Sequence, residues 1–291
     1  MTFAIAAAIE RATGKPFTPR ADRAAGGGCI NSARIIEGSD GRRYFVKTNR
    51  ASRLAMFEAE AAGLEAIWAT GALRVPAPIC SGSSGDEAWL VLEYLEMGGR
   101  GSAAELGRRL AALHRHTWDR YGWHRDNTIG STPQINTPCE DWTEFYRVHR
   151  LGHQFALAAR HGAPRRLLER GERLLAGLEG FFVGHRPAPS LLHGDLWGGN
   201  FGYCRGQPVI FDPAVYYGDL EADLAMTELF GGFPADFYAA YRDAWPLEAG
   251  YRVRKDLYNL YHVLNHFNLF GGGYLAQAGR MTDQLLAELN A

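Results

Sequence analysis

One short segment constrains this chain more than any other: residues 192–200 read LHGDLWGGN and place Asp195 and Asn200 in a D-x4-N spacing. Residues 201–211 follow as a predicted hairpin, because two β-prone runs flank a turn that contains glycine. The hairpin delivers Asp212 at its end. Either aspartate alone could be an ordinary turn or strand-end residue. The ordered set, with a hairpin between its members, indicates a functional loop instead.

Asp195, Asn200 and Asp212 have the residue types that phosphoryl transfer requires. The reaction needs a carboxylate at the acceptor hydroxyl and oxygen ligands that hold magnesium across the phosphates. Protein kinases use an Asp, an Asn and a second Asp on the next strand for these tasks. The kinase tripeptide Asp-Phe-Gly is absent, since Pro213 and Ala214 follow Asp212. The three residues are therefore candidates for kinase-type chemistry on a variant of the kinase motif.

A glycine-rich stretch, residues 26–32 with the sequence GGGCINS, precedes a second predicted hairpin. Glycines let a backbone approach phosphate groups and point N–H groups at them. The stretch matches neither a Walker A sequence nor GxGxxG, and on its own a flexible turn is the commoner explanation. Its candidate nucleotide-binding residues are Gly26, Gly27, Gly28, Cys29, Ile30 and Asn31.

Lys47 ends the second strand of that hairpin, where the kinase fold holds the α- and β-phosphates with a lysine. The alternative is an edge-strand lysine whose amine reaches solvent. Residues 52–69 have helical apolar spacing, and a carboxylate on this helix would hold the amine extended. Glu58 and Glu60 are the candidates. We favour Glu60, because it lies four residues before Leu64 on the apolar face, although a solvated helix face would explain both.

Residues 88–94 (AWLVLEY) predict a strand that is buried on both faces. In a two-lobed nucleotide site, the backbone groups of Glu93, Tyr94 and Leu95 at the end of this strand would bond the adenine edge. The glycine-rich residues 98–101 then form the predicted hinge.

The chain as a whole is predicted to be α+β, with a small β-rich N-lobe over residues 1–95 that binds nucleotide. A larger, mainly helical C-lobe over residues 96–291 would carry the catalytic loop and the substrate pocket. Helical spacing is present over residues 103–116, 141–160, 165–182 and 221–289. Asp223 stands at the start of the last of these stretches. We favour it as a helix N-cap over a role in holding the catalytic-loop backbone.

Two segments rich in amides and aromatic rings, residues 121–150 and 264–270, could line a pocket for a polyol. Amide hydrogen bonds and aromatic faces bind sugars, although structural aromatics in a helical lobe are equally common. The candidate substrate-binding residues are Asn127, Gln134, Trp142, His266 and Asn268, together with His193 and Trp197 of the D-x4-N segment.

Composition excludes several other classes of protein. The net charge of -1 argues against a general nucleic-acid binder. No apolar run reaches the roughly 20 residues of a membrane span, and the apolar start of the chain lacks the basic region of a secretory signal. The four cysteines form no CxxC pair, so a zinc site is not expected. Scattered thiols of this kind are typical of a cytoplasmic protein.

Longer stretches of the sequence carry a family likeness: GGGCINSA (26–33), FVKTN (45–49), MFEAEAAGLEAI (56–67), LGRRLAALHR (106–115), DNTIGSTPQIN (126–136), HGDLWGGN (193–200), FDPAVYYGDLEADLAMTELFGGF (211–233) and HFNLFGGGYL (266–275). With them the chain resembles the fructosamine kinase, or ketosamine-3-kinase, family, which is related to aminoglycoside phosphotransferases and choline kinases. The last three stretches are specific to that family. Gly198 is a small departure from its pattern.

The resemblance implies a protein-kinase-like fold, ATP as phosphate donor and Mg2+ as cofactor. It implies Asp195 as catalytic base, Asn200 and Asp212 as magnesium ligands, and Lys47 with Glu60 as the clamp on the phosphates. The acceptor would be a ketosamine, either a small molecule or a glycated protein lysine, phosphorylated on the sugar O-3. The phosphorylated product is unstable and eliminates, so the reaction would repair glycated amines, with ribulosamines or erythrulosamines favoured over fructosamines in bacterial members.

Two other functions stay open from the sequence. One is a kinase for a different hydroxylated amine, such as an aminoglycoside or choline. The other is a catalytically silent nucleotide-binding module, which is disfavoured because the base, the magnesium aspartate and Lys47 are all present. Cys29 adds a possible regulatory role, because a thiol among phosphate-facing N–H groups has a lowered pKa. We expect a monomer or a homodimer that depends on the redox state of Cys29.

Overall fold

The structure is a computed structural model that describes residues 2–26 and 30–290. Its contacts divide the chain into two compact units: Met1–Ser102 with Phe201–Pro213, and Ala103–Asn200 with Ala214–Ala291. The sequence-based division at residue 95 placed the hairpin of residues 201–211 in the larger lobe. The contacts group that hairpin with the smaller unit, because bridges join it to residues that precede the boundary, Arg74 to Val209 and Met97 to Cys204.

The described strands are β1 Pro19–Ala25, β2 Ser32–Gly38, β3 Arg43–Arg50, β4 Pro78–Ser84, β5 Glu87–Glu93, β6 Asn127–Ile129, β7 Thr132–Gln134, β8 Ser190–Leu192, β9 Phe201–Cys204, β10 Gln207–Ile210 and β11 Tyr216–Gly218. The α-helices are α1 Thr2–Thr13, α2 Leu54–Ala69, α3 Ala103–His114, α4 Trp142–Phe145, α5 His153–Arg160, α6 Arg165–Ala176, α7 Leu220–Leu229, α8 Ala235–Ala244, α9 Tyr251–Phe270 and α10 Tyr274–Glu288. A π-helical turn, Tyr146–Gly152, joins α4 to α5, and 3-10 turns lie at Ala51–Arg53 and Leu178–Phe182. Both predicted hairpins and the predicted helix of residues 52–69 are confirmed.

The smaller unit is built on an antiparallel five-stranded sheet with the order β1-β2-β3-β5-β4. All five residues from Ala88 to Leu92 in β5 are buried, which confirms the strand that was predicted to be covered on both faces. Trp89 and Val91 pack with Ile5 and Ile9 of α1 in one apolar cluster. Helix α2 also contacts β4 and β5. Successive side chains of β5 therefore point to opposite faces of the sheet, one face packed by α1 and the other by α2.

The larger unit is helical around a buried pair of helices. Every residue of α7 from Leu220 to Thr227 is buried, and α9 contributes eleven buried residues to the same interior. The antiparallel pair of β8 and β11 and the short hairpin of β6 and β7 complete this unit. The sequence gave no sign of the hairpin of β6 and β7. Within the described residues, no helix is long and apolar enough to cross a membrane.

Candidate active site

The smaller unit holds a buried lysine between two carboxylates. Lys47 on β3 is 7% exposed. Its Nζ lies 2.5 Å from Oε1 of Glu60 on α2 and 2.6 Å from Oδ1 of Asp212, directly after β10. Glu58, the other candidate on α2, is exposed on the helix surface. Glu60, the favoured candidate, is thus the carboxylate that contacts Lys47, and it shares a helix face with the buried Leu64.

These charges shift one another's ionisation. Burial disfavours the ammonium, but attraction from Glu60 and Asp212 outweighs it and raises the pKa of Lys47. Burial raises the pKa of Glu60, against the attraction of Lys47 and with the help of the negative charge on Asp212. Two carboxylates facing one ammonium leave an excess of one negative charge when all three are ionised. The cluster is therefore suited to receive a further cation.

Asp212 has an unusual backbone conformation. Its φ is +58°, a left-handed value that among the described non-glycine residues only Arg205 shares. Such conformations cost free energy and persist where neighbouring structure enforces them, often at functional sites. The side chain is 42% exposed although Lys47 contacts it. Asp212 is thus fixed by its surroundings and still open to a ligand from solution.

The D-x4-N loop lies in the larger unit, where a buried carboxylate holds its backbone. Asp223 on α7 accepts the N–H of His193 at 2.7 Å through Oδ2 and the N–H of Gly194 at 2.8 Å through Oδ1. His114, at the end of α3, lies 3.1 Å from Oδ2 through its Nε2. Gly194 has φ +81°, and a Cβ there would lie 2.1 Å from the carbonyl oxygen of Ala214. Only glycine fits this turn.

The preferred interpretation of Asp223 as a helix cap is wrong. Asp219 caps α7 by accepting the N–H of Glu221 at 3.0 Å, and Asp223 lies one turn further along. Burial alone would raise the pKa of Asp223, but the hydrogen bond with His114 and the loop N–H groups lower it. The carboxylate therefore stays ionised as an acceptor for the loop. His114 had no assigned role from the sequence, because nothing in α3 marks a buried histidine.

Asn200 orients the loop aspartate. Its Nδ2 donates to the carbonyl of Asp195 at 2.9 Å and to Oδ2 of Asp195 at 3.2 Å. Asn200 makes both bonds through its amide nitrogen, and neither bond uses its Oδ1. The spacing of five residues thus lets Asn200 close the turn on Asp195 while its Oδ1 can still bind a ligand.

Part of the glycine-rich loop can be placed. Asn49 at the end of β3 donates through Nδ2 to the carbonyl of Ile30 at 3.1 Å and to Oδ1 of Asn31 at 2.8 Å. Sequence reasoning missed Asn49, and its position two residues after Lys47 is the signal that could have found it. Gly26 ends the described residues on the other side. The predictions for Gly27, Gly28 and Cys29 lie outside the described residues.

The predicted adenine-binding backbone follows β5. The N–H of Glu93 donates to the carbonyl of Ala77 at 2.8 Å, and the Glu93 carboxylate pairs with Arg74. The carbonyl of Leu95 accepts the N–H of Met97 at 2.9 Å. The guanidinium of Arg43 lies 4.4 Å above the Tyr94 ring. The Glu93 amide is therefore committed to the protein, and an adenine ring would have to use other groups of this segment.

Four predicted substrate residues lie in the interior of the larger unit instead. Asn127, Gln134 and Trp142 are at most 8% exposed, and His193 is fully buried. Trp142 donates to the Tyr258 hydroxyl at 3.0 Å, and Nδ1 of His193 accepts the N–H of Asp195 at 3.3 Å. The assignment of these side chains to an open pocket is corrected, because the hairpin of β6 and β7, helix α4 and the segment after β8 turn them inward.

Asn268 is also engaged elsewhere: its Nδ2 donates to the carbonyl and to Oε1 of Gln154 at 3.0 and 2.8 Å. His266 and Trp197, by contrast, belong to a partly exposed set of aromatic rings, which we call the aromatic surface. Its members are Trp197, Phe230, His266, Phe270 and Tyr274. Trp197 contacts Phe230, and His266 contacts Phe230, Phe270 and Tyr274, with ring centroids 4.9–6.1 Å apart. Trp197 lies two residues after Asp195, so this surface begins at the D-x4-N loop.

The chain matches the family model described as Fructosamine kinase over residues 1–288. It belongs to the fructosamine kinase family. The match confirms the resemblance that the sequence indicated. The protein is accordingly an ATP-dependent phosphotransferase that acts on an alcohol group, with the predicted kinase-like α+β fold.

Relatives of this family member cover nearly its whole length. A probable ketoamine kinase of Synechocystis sp. is 50% identical over 97% of this chain and 96% of its own. The chloroplastic protein-ribulosamine 3-kinase of Arabidopsis thaliana is 46% identical over 91% of this chain and 82% of its own. A Haemophilus somnus crystal structure named as a fructosamine-3-kinase has a TM-score of 0.90 at 28% identity, covering 97% of this chain and 96% of that one.

Proposed function

We propose that the enzyme transfers the γ-phosphoryl group of ATP to O-3 of the sugar in a ketosamine. The observation that carries this proposal is the Asp195–Asn200 loop, with its backbone held by the buried Asp223, in a chain of the fructosamine kinase family. Asp195 acts as general base on the sugar hydroxyl. Asn200 fixes the Asp195 carboxylate for that task through its amide nitrogen.

On the nucleotide side, Lys47 holds the α- and β-phosphates while Glu60 keeps its amine in place. Asn200 and Asp212 are the proposed magnesium ligands, because each offers the oxygen atoms that the ion prefers and the Lys47 cluster at Asp212 carries excess negative charge. When bound, the ion would neutralise charge that develops on the phosphoryl group during transfer. The described part of the glycine-rich loop, Gly26, Ile30 and Asn31, together with Glu93, Tyr94 and Leu95, completes the proposed nucleotide contacts.

On the acceptor side, the aromatic surface is the proposed sugar platform. Trp197 is 38% exposed and can present a ring face to a sugar. The Nδ1 of His266 bonds the His262 carbonyl at 2.8 Å, and burial lowers the pKa of His266. His266 is therefore neutral near pH 7 and offers Nε2 as an acceptor for a hydroxyl. A small-molecule ketosamine and a glycated lysine both present the same sugar to this surface.

Elimination of the phosphate from the product would release the free amine, so the enzyme would repair glycation. We propose a five-carbon ketosamine as the better substrate, in line with the name of the plant relative. The test is ATP consumption with ribulose-lysine, fructose-lysine, kanamycin and choline in parallel. We expect activity with the two ketosamines and a higher kcat/KM for ribulose-lysine. Activity with kanamycin or choline alone would overturn the proposal, and no ATP consumption with any acceptor would favour a silent module.

Metal dependence is a separate test. We expect activity to vanish in EDTA and to return with magnesium. Full activity in EDTA would remove Asn200 and Asp212 from their proposed roles.

We further propose a cytoplasmic enzyme, either a monomer or a redox-dependent homodimer, whose activity responds to oxidation of Cys29, because a thiol near phosphate-binding N–H groups is acidic. Reversible inhibition by peroxide, with protection by ATP, is the expected result. Cys29→Ser should abolish that inhibition, and a variant inhibited as fully as the parent would contradict the proposal. Burial raises the pKa of the Cys80 thiol to about 11, so Cys80→Ser is the matched control and should leave the inhibition unchanged.

A further inference from the structure

Two buried amides hold the main chain just after Asp212. Nε2 of Gln134 on β7 donates to the carbonyl of Ala214 at 3.0 Å, and Nδ2 of Asn127 on β6 donates to the carbonyl of Val215 at 2.7 Å. The two acceptors are successive residues, the second and third after Asp212. The short hairpin of β6 and β7 thus holds the main chain of Ala214 and Val215 through hydrogen bonds.

The two amides are locked in a single orientation. Nε2 of Gln134 also donates to Oδ1 of Asn127 at 2.8 Å, and the Tyr261 hydroxyl donates to Oε1 of Gln134 at 2.7 Å. Asn136 donates to the same Asn127 oxygen at 2.9 Å, and the fully buried Arg150 donates to Oδ1 of Asn136 at 2.7 Å. Each amide oxygen therefore accepts, so each amide nitrogen must donate to the main chain. Buried networks satisfied in this way specify one arrangement.

The same segment is bonded from its other side by the catalytic loop. The N–H of Ala214 donates to the carbonyl of His193 at 2.8 Å, in the turn that Asp223 holds. Ala214 is thereby fixed through both of its peptide groups. The left-handed φ of +58° at Asp212 is costly for a residue with a side chain and needs such fixed neighbours.

We propose that Gln134 and Asn127 are positioning residues that fix the main chain at Ala214 and Val215 and so aim the Asp212 carboxylate at metal-bound nucleotide. This inference rests on the proposed function, in which Asp212 is a magnesium ligand. It replaces the sugar-binding role that the sequence suggested for both amides. The DNTIGSTPQIN segment then contributes to metal binding indirectly, because its amides fix the main chain that follows Asp212.

The test compares Gln134→Leu with Gln154→Leu. Gln154 is a matched control, because it is equally buried at 1% exposure and bonds Asn265 and Asn268 instead of Ala214. Two measurements are made: amide hydrogen exchange of residues 212–217, and the Kd for AMP-PNP with magnesium and with EDTA. We expect Gln134→Leu to speed exchange in that segment and to weaken magnesium-dependent binding on the order of tenfold, the worth of one buried hydrogen bond. Binding in EDTA should be unchanged.

Gln154 contacts this network through Tyr261, so Gln154→Leu should change both measurements much less than Gln134→Leu, even if it lowers the melting temperature as much. Tyr261→Phe removes one bond to Gln134 without a cavity, and it should give a smaller effect of the same kind if Gln134→Leu fails to fold. Equal effects of the Gln134 and Gln154 variants would overturn the inference. The Asp212→Asn variant distinguishes this inference from the proposed function. If Asp212→Asn keeps full magnesium-dependent affinity for AMP-PNP, Asp212 is not a magnesium ligand and the proposed function fails at that point. If Asp212→Asn loses that affinity and Gln134→Leu keeps it, only the positioning role of Gln134 is wrong.

Discussion

The Lys47 cluster and the D-x4-N loop are built on opposite principles. In the first, charged side chains bond one another, and Lys47 lies within 2.6 Å of two carboxylates. In the second, one buried carboxylate bonds main-chain N–H groups, and Asp223 takes those of His193 and Gly194. Side-chain contacts can adapt when a ligand arrives, whereas backbone bonds to a buried acceptor leave the loop a single shape. The Lys47 cluster is thus suited to bind a charged ligand, whereas the D-x4-N loop is suited to hold a catalytic base in a fixed position.

The largest expected effect tests the loop side of this comparison. Asp195→Asn keeps the shape of the side chain but removes the base, so turnover should fall by a factor on the order of 10²–10⁴. Nucleotide affinity, measured by titration with AMP-PNP, should change little, because Asp195 lies in the loop and not in the Lys47 cluster. A loss of nucleotide binding would mean that Asp195 is structural.

The next effect tests the cluster. Lys47→Met should weaken ATP binding by about 10- to 100-fold, since a hydrogen bond to a charged group contributes about 1.5–3 kcal/mol. Glu60→Gln should be milder, because Asp212 still contacts the amine. The exposed Glu58→Gln is the control on the same helix. An impaired Glu58 variant beside a normal Glu60 variant would show that the observed pairing does not matter for binding.

A smaller effect is expected when Asp223, which accepts the backbone N–H groups of the D-x4-N loop, is changed. Asp223→Asn must turn an NH2 group toward His193 or Gly194, which leaves one buried N–H without its acceptor at a cost of about 1–3 kcal/mol. We expect a lower melting temperature and a lower kcat with an unchanged KM for ATP. The exposed Asp236→Asn should change nothing. A rise in KM for ATP at constant kcat would place Asp223 with the nucleotide instead.

The sequence predicted the cluster better than the surroundings of the loop, and the reason is physical. Lys47 and Glu60 lie on elements with clear periodicity, and a helix face can be computed from spacing alone. Asp223 bonds residues thirty positions away, and the pairing depends on how α7 packs. Asn127 and Gln134 sit on strands of three residues each, too short for a pattern. Polar residues in such a segment look like pocket residues until burial is known.

The smallest effect concerns a histidine that joins three parts of the larger unit. Nε2 of His185 lies 2.6 Å from Asp219, the cap of α7, and Nδ1 lies 2.5 Å from Glu248, before α9. Both ring nitrogens face carboxylates, so the bonds require the protonated ring. Burial would lower the pKa of His185, but the hydrogen bond and the negative charge of Asp219, with Glu248, raise it. Its contribution to folding is therefore complete below the unfolded pKa of about 6.5 and is lost as pH rises through the higher folded pKa.

The difference in the free energy of unfolding between the parent and His185→Gln should be constant from pH 5.5 to about 6.5 and should shrink from there as pH rises through the folded pKa. We expect this difference to be at most about 1 kcal/mol, because the Glu248 side chain is 58% exposed and solvent screens its interaction with His185. Denaturant titrations at several pH values measure it, with the exposed His116→Gln as control. A difference that grows with pH would mean that His185 is held neutral. Because the link joins the cap of α7 and not the Asp223 bonds, kcat should follow pH alike in both proteins, which keeps this effect apart from the loop.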